Sequence, residues 1–311
     1  VLRRIASRWA RRAVVKGDEL DYAALFHDEL PDFPLRMLPF AAHPDFLAAA
    51  PEMRSLALTW GWIMYNERTI AAEDHIANPA FVNIMRERFP GSEHPLIKQT
   101  IGQALVDEHY HTLMHVMATA LCKRRRQLAP LKLPESVTLR ALRAAQAAAG
   151  DSWHRDLIQL CFAITSEVSI NAYLSLLSQD DTIQPLHRTL TDMHNRDEFG
   201  HMILLVEVAR VIYGAMTAAE KELFLRSLPF ALEAYVAADF TTWKVILRHL
   251  GFAKAEAIVE DSRTAPGGTS LTRDYSGIKL LTDTLGITGQ VDFDFARASQ
   301  KHAPLWKKLN L

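Results

Sequence analysis

From Pro51 onward the chain reads as long stretches in which apolar residues return every three or four positions, the spacing that gives a helix one buried face. The first of these stretches runs from Glu52 to about His75 and is closed by Asn78 and Pro79. A second opens at His94 and Pro95, with proline suited to a first helical turn, and continues to about Arg126. After a break from Pro130 to Pro134 comes an alanine-rich helix ending near Gly150. Asp151 then caps a helix that reaches Ser178. The fourth long helix spans Ile183 to Tyr213. Thr217 caps a fifth, crossing Phe224 to Leu250, bent or divided at Pro229 and closed by Gly251.

The two ends of the chain are less regular. Leu2 to Lys16 reads as an amphipathic basic helix that packs on the body of the protein, although its composition also suits a targeting or membrane-surface helix. Pro31, Pro34, Pro39 and Pro44 exclude a long helix between Phe26 and Pro51, so that segment is expected to wrap the surface. In the tail, Gly267 and Gly268 mark a loop, Lys279 to Leu285 a short helix, and Phe293 to Leu309 a further packed segment. The alternation Val291, Phe293, Phe295 is too short to establish a strand. The predicted class is all-α, in one domain over 1–311 with a bundle core at about 52–213.

Charge narrows the function classes. With 35 basic and 36 acidic side chains the net charge is -1, so no overall field draws in nucleic acid or anionic lipid. The run Lys123 to Arg126 complements the negative end of its own helix dipole. Cys122 and Cys161 offer neither a disulfide framework nor a thiolate metal pair, which points to a reducing cytoplasm. No run looks long and apolar enough to cross a bilayer. No phosphate loop or dinucleotide fingerprint is present.

The chemistry concentrates in two short motifs. DEHYH places Glu108 and His111 three residues apart, and HNRDEFGH does the same for Glu198 and His201. That spacing puts each pair on one helical face, where both side chains reach a common ion. Their neighbours on the same faces are mostly apolar, and a buried carboxylate without a cation is costly. Glu73, in NERTIAAEDH, and Glu167, in CFAITSEVSINAYL, supply one further carboxylate from each of the other two long helices. One Glu from each of two helices plus Glu-x-x-His from each of two others is the donor set of a carboxylate-bridged di-iron bundle. Oxygen and nitrogen donors favour iron or manganese over a thiolate-rich zinc site. His194, one turn before Glu198, is either a third imidazole ligand or a hydrogen-bond partner that orients a carboxylate. Asp107 and Asp197 each precede a ligand Glu and are placed to receive hydrogen bonds from histidines across the bundle. Asn66 and His115 stand nearby with weaker claims, as do His75, His109 and His154.

From about Trp60 to Tyr213 this ordered set resembles the p-aminobenzoate N-oxygenase family of ferritin-like di-iron proteins. The resemblance implies that Glu73, Glu108, His111, Glu167, His194, Glu198 and His201 all bind iron, with His194 the additional ligand. It implies two iron ions per chain, dioxygen as co-substrate and an external electron donor, a reductase or ferredoxin. The reaction implied is oxidation of an amine, free or carrier-bound, to hydroxylamine and onward to nitroso or nitro, in a homodimer. A carbon hydroxylase or desaturase and an iron-storage bundle are the competing readings. Trp60, Trp62, Phe162, Tyr173 and Phe199 are candidates to line an aromatic pocket, although aromatic residues at helical spacing more often pack a core, and Arg263 and Arg273 either hold a substrate carboxylate or, as is more usual, stand in a solvated loop.

Overall fold

The computed structural model describes residues 1–265, 274–293 and 295. Among the described residues twelve α-helices follow one another: α1 (Leu2–Arg12), α2 (Pro44–Leu47), α3 (Pro51–Ala72), α4 (Asn78–Met85), α5 (Pro95–Arg125), α6 (Val137–Ala147), α7 (Ser152–Ser178), α8 (Pro185–Ala215), α9 (Ala218–Val236), α10 (Phe240–His249), α11 (Ala255–Thr264) and α12 (Ser276–Leu285). No strand forms among the described residues. Arg273 and most of the segment from Phe293 to Leu309, like Gly267 and Gly268, lie outside them.

The capping chemistry read from the sequence accounts for several helix starts. Asp151 accepts the backbone N–H of His154 at 2.8 Å. Thr217 and Glu220 form a reciprocal capping box, worth on the order of 1 kcal/mol. Two expected breaks fall elsewhere. Asn78 and Pro79 do not close the first long helix, because residues Glu73–Ala77 form a π-helical turn and the chain runs on into α4. Pro79 brings no N–H to the carbonyls behind it, and Gln159 of α7 compensates by donating to the carbonyls of His75 at 3.0 Å and Ile76 at 2.7 Å. Pro229 lies inside α9, and the division comes instead at Ala237–Asp239. There the Arg68 guanidinium donates to the carbonyls of Ala234, Tyr235 and Ala237, while Asp239 caps α10.

α3 packs on α5, α5 on α8, and α7 along α8 and α9. The apolar residues form two clusters, one around Phe81, Ile101, Leu160 and Leu205, the other around Trp62, Met114, Leu174 and Leu190. α5 and α7 pass from the first cluster into the second, and α3 and α8 pass the other way. The polar residues Glu108, Glu167 and Glu198 fall where each helix changes cluster. The bundle thus carries a charged belt sealed on both sides by packed hydrocarbon. α7 is the most apolar of the four, long and apolar enough by composition to span a bilayer; 78 % of its most apolar stretch is buried inside the bundle. This corrects the expectation that no segment would reach that threshold, and packing between two clusters is the reason the helix is so apolar.

The surface segment does wrap as expected, and the basic end of α5 holds it. Arg125 pairs with Asp28, and Arg126 pairs with the buried Asp32 at 2.8 Å. The positive run therefore ties down a loop in addition to facing the helix dipole.

Candidate metal centre

All seven predicted residues converge in the belt, each at most 3 % exposed. Their donor atoms fall into two groups, Glu73, Glu108, His111 and His194 in one and Glu108, Glu167, Glu198 and His201 in the other, with every atom of a group within 4.8 Å of the rest. Glu108 is common to both. Glu73 reaches the site from the π-turn, whose extra residue resets the helical phase at that position.

The two Asp-Glu-x-x-His runs cross-brace one another. His111 Nε2 lies 3.2 Å from Asp197, and His201 Nε2 lies 3.2 Å from Asp107. Each imidazole donates through Nε2 to the other helix's aspartate and turns Nδ1 toward Glu108 and Glu198. This is the arrangement by which an outer carboxylate orients an imidazole ligand and raises its basicity.

His194 faces the site by a different logic. Asn66 donates through Nδ2 to the Trp62 carbonyl at 2.6 Å, so its Oδ1 accepts from His115 Nδ1, also at 2.6 Å. His115 Nε2 then carries the lone pair and accepts from His194 Nδ1 at 2.9 Å. That leaves His194 Nε2 as a bare lone pair, 3.1 Å from Glu73 and 3.3 Å from Glu198. Burial, with the neighbouring His111, lowers the pKa of His194; burial and His194 push His115 well down, so both rings are neutral. A lone pair facing two carboxylates repels both unless a cation stands between them. His194 Nε2, Glu73 Oε1, Glu108 Oε1, Glu167 Oε2 and Glu198 Oε2 are all buried without a hydrogen-bond partner. Such atoms are expensive as isolated acceptors and well suited as metal donors, and four carboxylates balance the charge of two divalent ions.

Without metal, protons take up the charge. Burial pushes Glu73 and Glu167 well above the usual carboxylate range. Burial also opposes charge on His111 and His201, but Asp197 and Glu108 for the first, and Glu198 and Glu108 for the second, raise both well above the ordinary histidine value. Burial works against ionisation of Glu108 and Glu198 as well, yet His201 and hydrogen bonds from the surrounding imidazoles hold both below the usual range.

Sequence reasoning missed several supporting residues. Thr112 donates to Glu73 Oε2 at 3.1 Å. Trp9 donates its indole N–H to Asp107 at 2.9 Å, the Val14 amide donates to Asp197 at 3.0 Å, and Arg12 donates to the Asp197 carbonyl at 3.0 Å. Gly200, inside HNRDEFGH, is the one available signal: a Cβ there would meet the Arg12 guanidinium at 1.5 Å. Of the five aromatic candidates, three take the core-packing alternative. Trp60, Trp62 and Phe162 are core residues, Phe199, 53 % exposed, lines a surface cleft beside α1, and Tyr173 lines a separate cavity with Tyr65. Arg263 is a surface residue paired with Glu260. His75 is half exposed and pairs with Asp74, and His109 contacts Asn78, so neither joins the belt.

An all-helical bundle with a buried, carboxylate-bridged pair of donor groups is a non-haem di-iron protein by fold and donor chemistry. The family model "P-aminobenzoate N-oxygenase AurF" matches residues 1–286. The chain is also 44 % identical to a 4-aminobenzoate N-oxygenase of Streptomyces thioluteus over 297 residues, 94 % of this chain and 88 % of that protein. This chain belongs to the p-aminobenzoate N-oxygenase family, and it is an oxidoreductase, a non-haem di-iron monooxygenase.

Proposed function

We propose that the chain is an amine N-oxygenase holding two irons through Glu73, Glu108, His111, Glu167, His194, Glu198 and His201, within a single domain over 1–311. The observation that carries the assignment is the fixed tautomer of His194, which leaves a bare nitrogen aimed at Glu73 and Glu198. When bound, the metals supply the electrons and the Lewis acidity that activate dioxygen. The protein contributes the rest. Asp107 and Asp197 keep two imidazoles in the tautomer whose Nδ1 faces inward, the π-turn presents Glu73, and the two hydrocarbon clusters exclude bulk water.

The amine enters through a cleft of about 210 Å³ lined by Tyr65, Arg68, Ala71, His75, Leu139 and Tyr173. Tyr65 and Tyr173 stand 5.3 Å apart, and Tyr65 lies 5.9 Å from His115, the ring that fixes His194. That volume suits a one-ring amine, since a cavity of about 150 Å³ accommodates benzene. An arylamine such as the relative's 4-aminobenzoate is therefore the first substrate to try.

Anaerobic titration with ferrous iron is expected to end at about two ions per chain. It should release protons, because Glu73, Glu167, His111 and His201 hold them in the metal-free protein and must give them up to coordinate. The sign follows: the gain in melting temperature on iron binding grows as pH rises and shrinks in acid. Oxygen and an arylamine should then yield the hydroxylamine. Hydroxylated or desaturated carbon beside an untouched amine would sink the reading, and uptake far beyond two irons would favour storage.

A homodimer forms in this proposal through the outer face of α5. Val106, Leu113 and Val116, exposed at 44, 49 and 46 %, share one side of that helix. Light scattering should give twice the chain mass, and Leu113→Glu should halve it; a wild-type monomer at working concentration refutes the dimer.

A further inference from the structure

α1 lies across α5 and α8 directly over the metal belt. Its Trp9 indole N–H donates to both oxygens of Asp107, at 2.9 and 3.0 Å, and Asp107 Oδ2 sits 3.2 Å from His201 Nε2. The other nitrogen of His201 faces Glu108 at 2.7 Å and Glu198 at 3.1 Å. A partly exposed indole is thus joined to the centre of the bundle by two hydrogen bonds and one carboxylate. Asp197, the counterpart of Asp107, is served by the Val14 amide and His111 and has no indole donor among the described residues. The two halves of the site are equivalent in motif and unequal in their connection to the surface.

The surface above Trp9 is strongly cationic in a protein of net charge -1. Residues 1–16 contain Arg3, Arg4, Arg8, Arg11, Arg12 and Lys16 and no acid. Arg3, Arg4, Arg8 and Arg11 are exposed and form no ion pair among the described residues, and Lys16 sits 4.8 Å over the indole ring. Between α1 and α8 runs a cleft of about 210 Å³ where Phe199, 53 % exposed, is flanked by Arg4, Arg8 and Arg196. An aromatic anchor inside a ring of arginines is the composition of a protein interface. The apolar edge of α1 is already used, since Leu2 and Ile5 pack on the core, so the helix has no free face to lay into a bilayer.

We propose that the basic face of α1 docks a small acidic one-electron carrier protein of the iron–sulfur class, and that Trp9, Asp107 and His201 conduct its electron to the metal pair. The proposal rests on the di-iron reading above and names the partner of that site. The balance is simple: two reduced carriers each give up one electron, and two ferric ions become ferrous. The indole serves as a bridge and is not itself consumed. Lys16 and the arginines lower the cost of bringing a negatively charged carrier to this face.

A plant-type [2Fe–2S] ferredoxin, which is strongly acidic, is the probe. Calorimetry on the metal-free full chain at low ionic strength should detect binding that weakens steeply with added salt. The double variant Arg4→Glu, Arg8→Glu should lower the affinity about tenfold or more, because both side chains are exposed and a reversed charge repels the partner. In the iron-loaded protein, Trp9→Phe should slow anaerobic reduction by the ferredoxin about tenfold and leave ferredoxin affinity and reduction by dithionite unchanged, since phenylalanine keeps the packing and removes the N–H. Absence of binding, or a double variant that binds within a factor of about two of wild type, overturns the docking surface. Binding of the chain to anionic phosphatidylglycerol vesicles in preference to ferredoxin does the same. An unchanged reduction rate in Trp9→Phe overturns the path. The binding arm needs neither metal nor amine, so a failure of N-oxygenation with docking intact counts against the reaction and leaves the surface standing.

Discussion

His194→Ala is expected to keep close to two irons per chain and to lose roughly 100-fold or more in amine oxidation. Six donors remain, and Glu108 still joins the two groups, so the metals stay held. What disappears is the one imidazole whose orientation comes from a relay of neutral groups. His111 and His201 are braced by the side chains of Asp197 and Asp107, whereas His194 is braced by His115 and, through it, by Asn66. Removing that neutral nitrogen takes away an electron-pair donor beside Glu73 and Glu198 without changing the net charge there, which would raise the electron demand of an ion held at that position. Metal analysis combined with product assay checks the prediction. A variant that holds iron and oxidises amines at the wild-type rate would remove His194 from the site. Asn66→Ala should shift activity in the same direction by a smaller factor, because it loosens the ring without deleting it.

Gly277→Ala should destabilise the protein by about 3 kcal/mol, toward the upper end of what overpacking costs. Gly277 opens α12 where that helix crosses α7, and a Cβ there would stand 1.6 Å from the Val168 carbonyl oxygen and 2.7 Å from its carbon. Both obstacles are backbone, so no rotamer change relieves them and α12 must move as a body. Val168 follows Glu167, one of the candidate metal donors, and the displacement is transmitted to the site. Thermal melting of the metal-free and iron-loaded forms measures the two consequences, a melting temperature lower by roughly 5–10 °C and weaker iron retention. Gly214→Ala is the control: nothing lies within 4 Å of its added Cβ, and removing a helical glycine should stabilise by about 0.5–1 kcal/mol. Equal melting temperatures for Gly277→Ala and wild type would show that α12 is not seated on α7 as described.

Part of this molecule is readable locally. The three-residue spacing in DEHYH and HNRDEFGH is a statement about helical faces, and faces follow from a period that needs no tertiary information. For the same reason the caps at Asp151 and Thr217 and the limits of α5 and α7 fall where the residues placed them. A carboxylate among apolar neighbours also announces itself, because hydrocarbon on the same face implies burial and burial demands a cation. Glu73, Glu108, Glu167 and Glu198 meet because four such faces have one place to turn.

Other features depend on partners far away in sequence. Pro79 reads as a stop, yet Gln159 supplies the donors its ring cannot, and the helix continues through a π-turn that aims Glu73. Pro229 reads as a bend, yet α9 runs on to Val236, where Arg68 gathers its terminal carbonyls. Trp60, Trp62 and Phe162 carry the composition of a binding pocket and are spent on packing, since an aromatic ring looks the same in a sequence whether it faces a ligand or a core. Trp9 and Asp107 are 98 residues apart and have no shared motif, so their hydrogen bond exists only once α1 has been laid across the bundle. The residues by themselves therefore determined most of the long helices and which of their faces carry the carboxylates and imidazoles that cluster. The tertiary structure decided how those faces are braced, because a missing backbone donor, a carbonyl cluster or a buried aspartate is satisfied by whichever group the fold brings within about 3 Å.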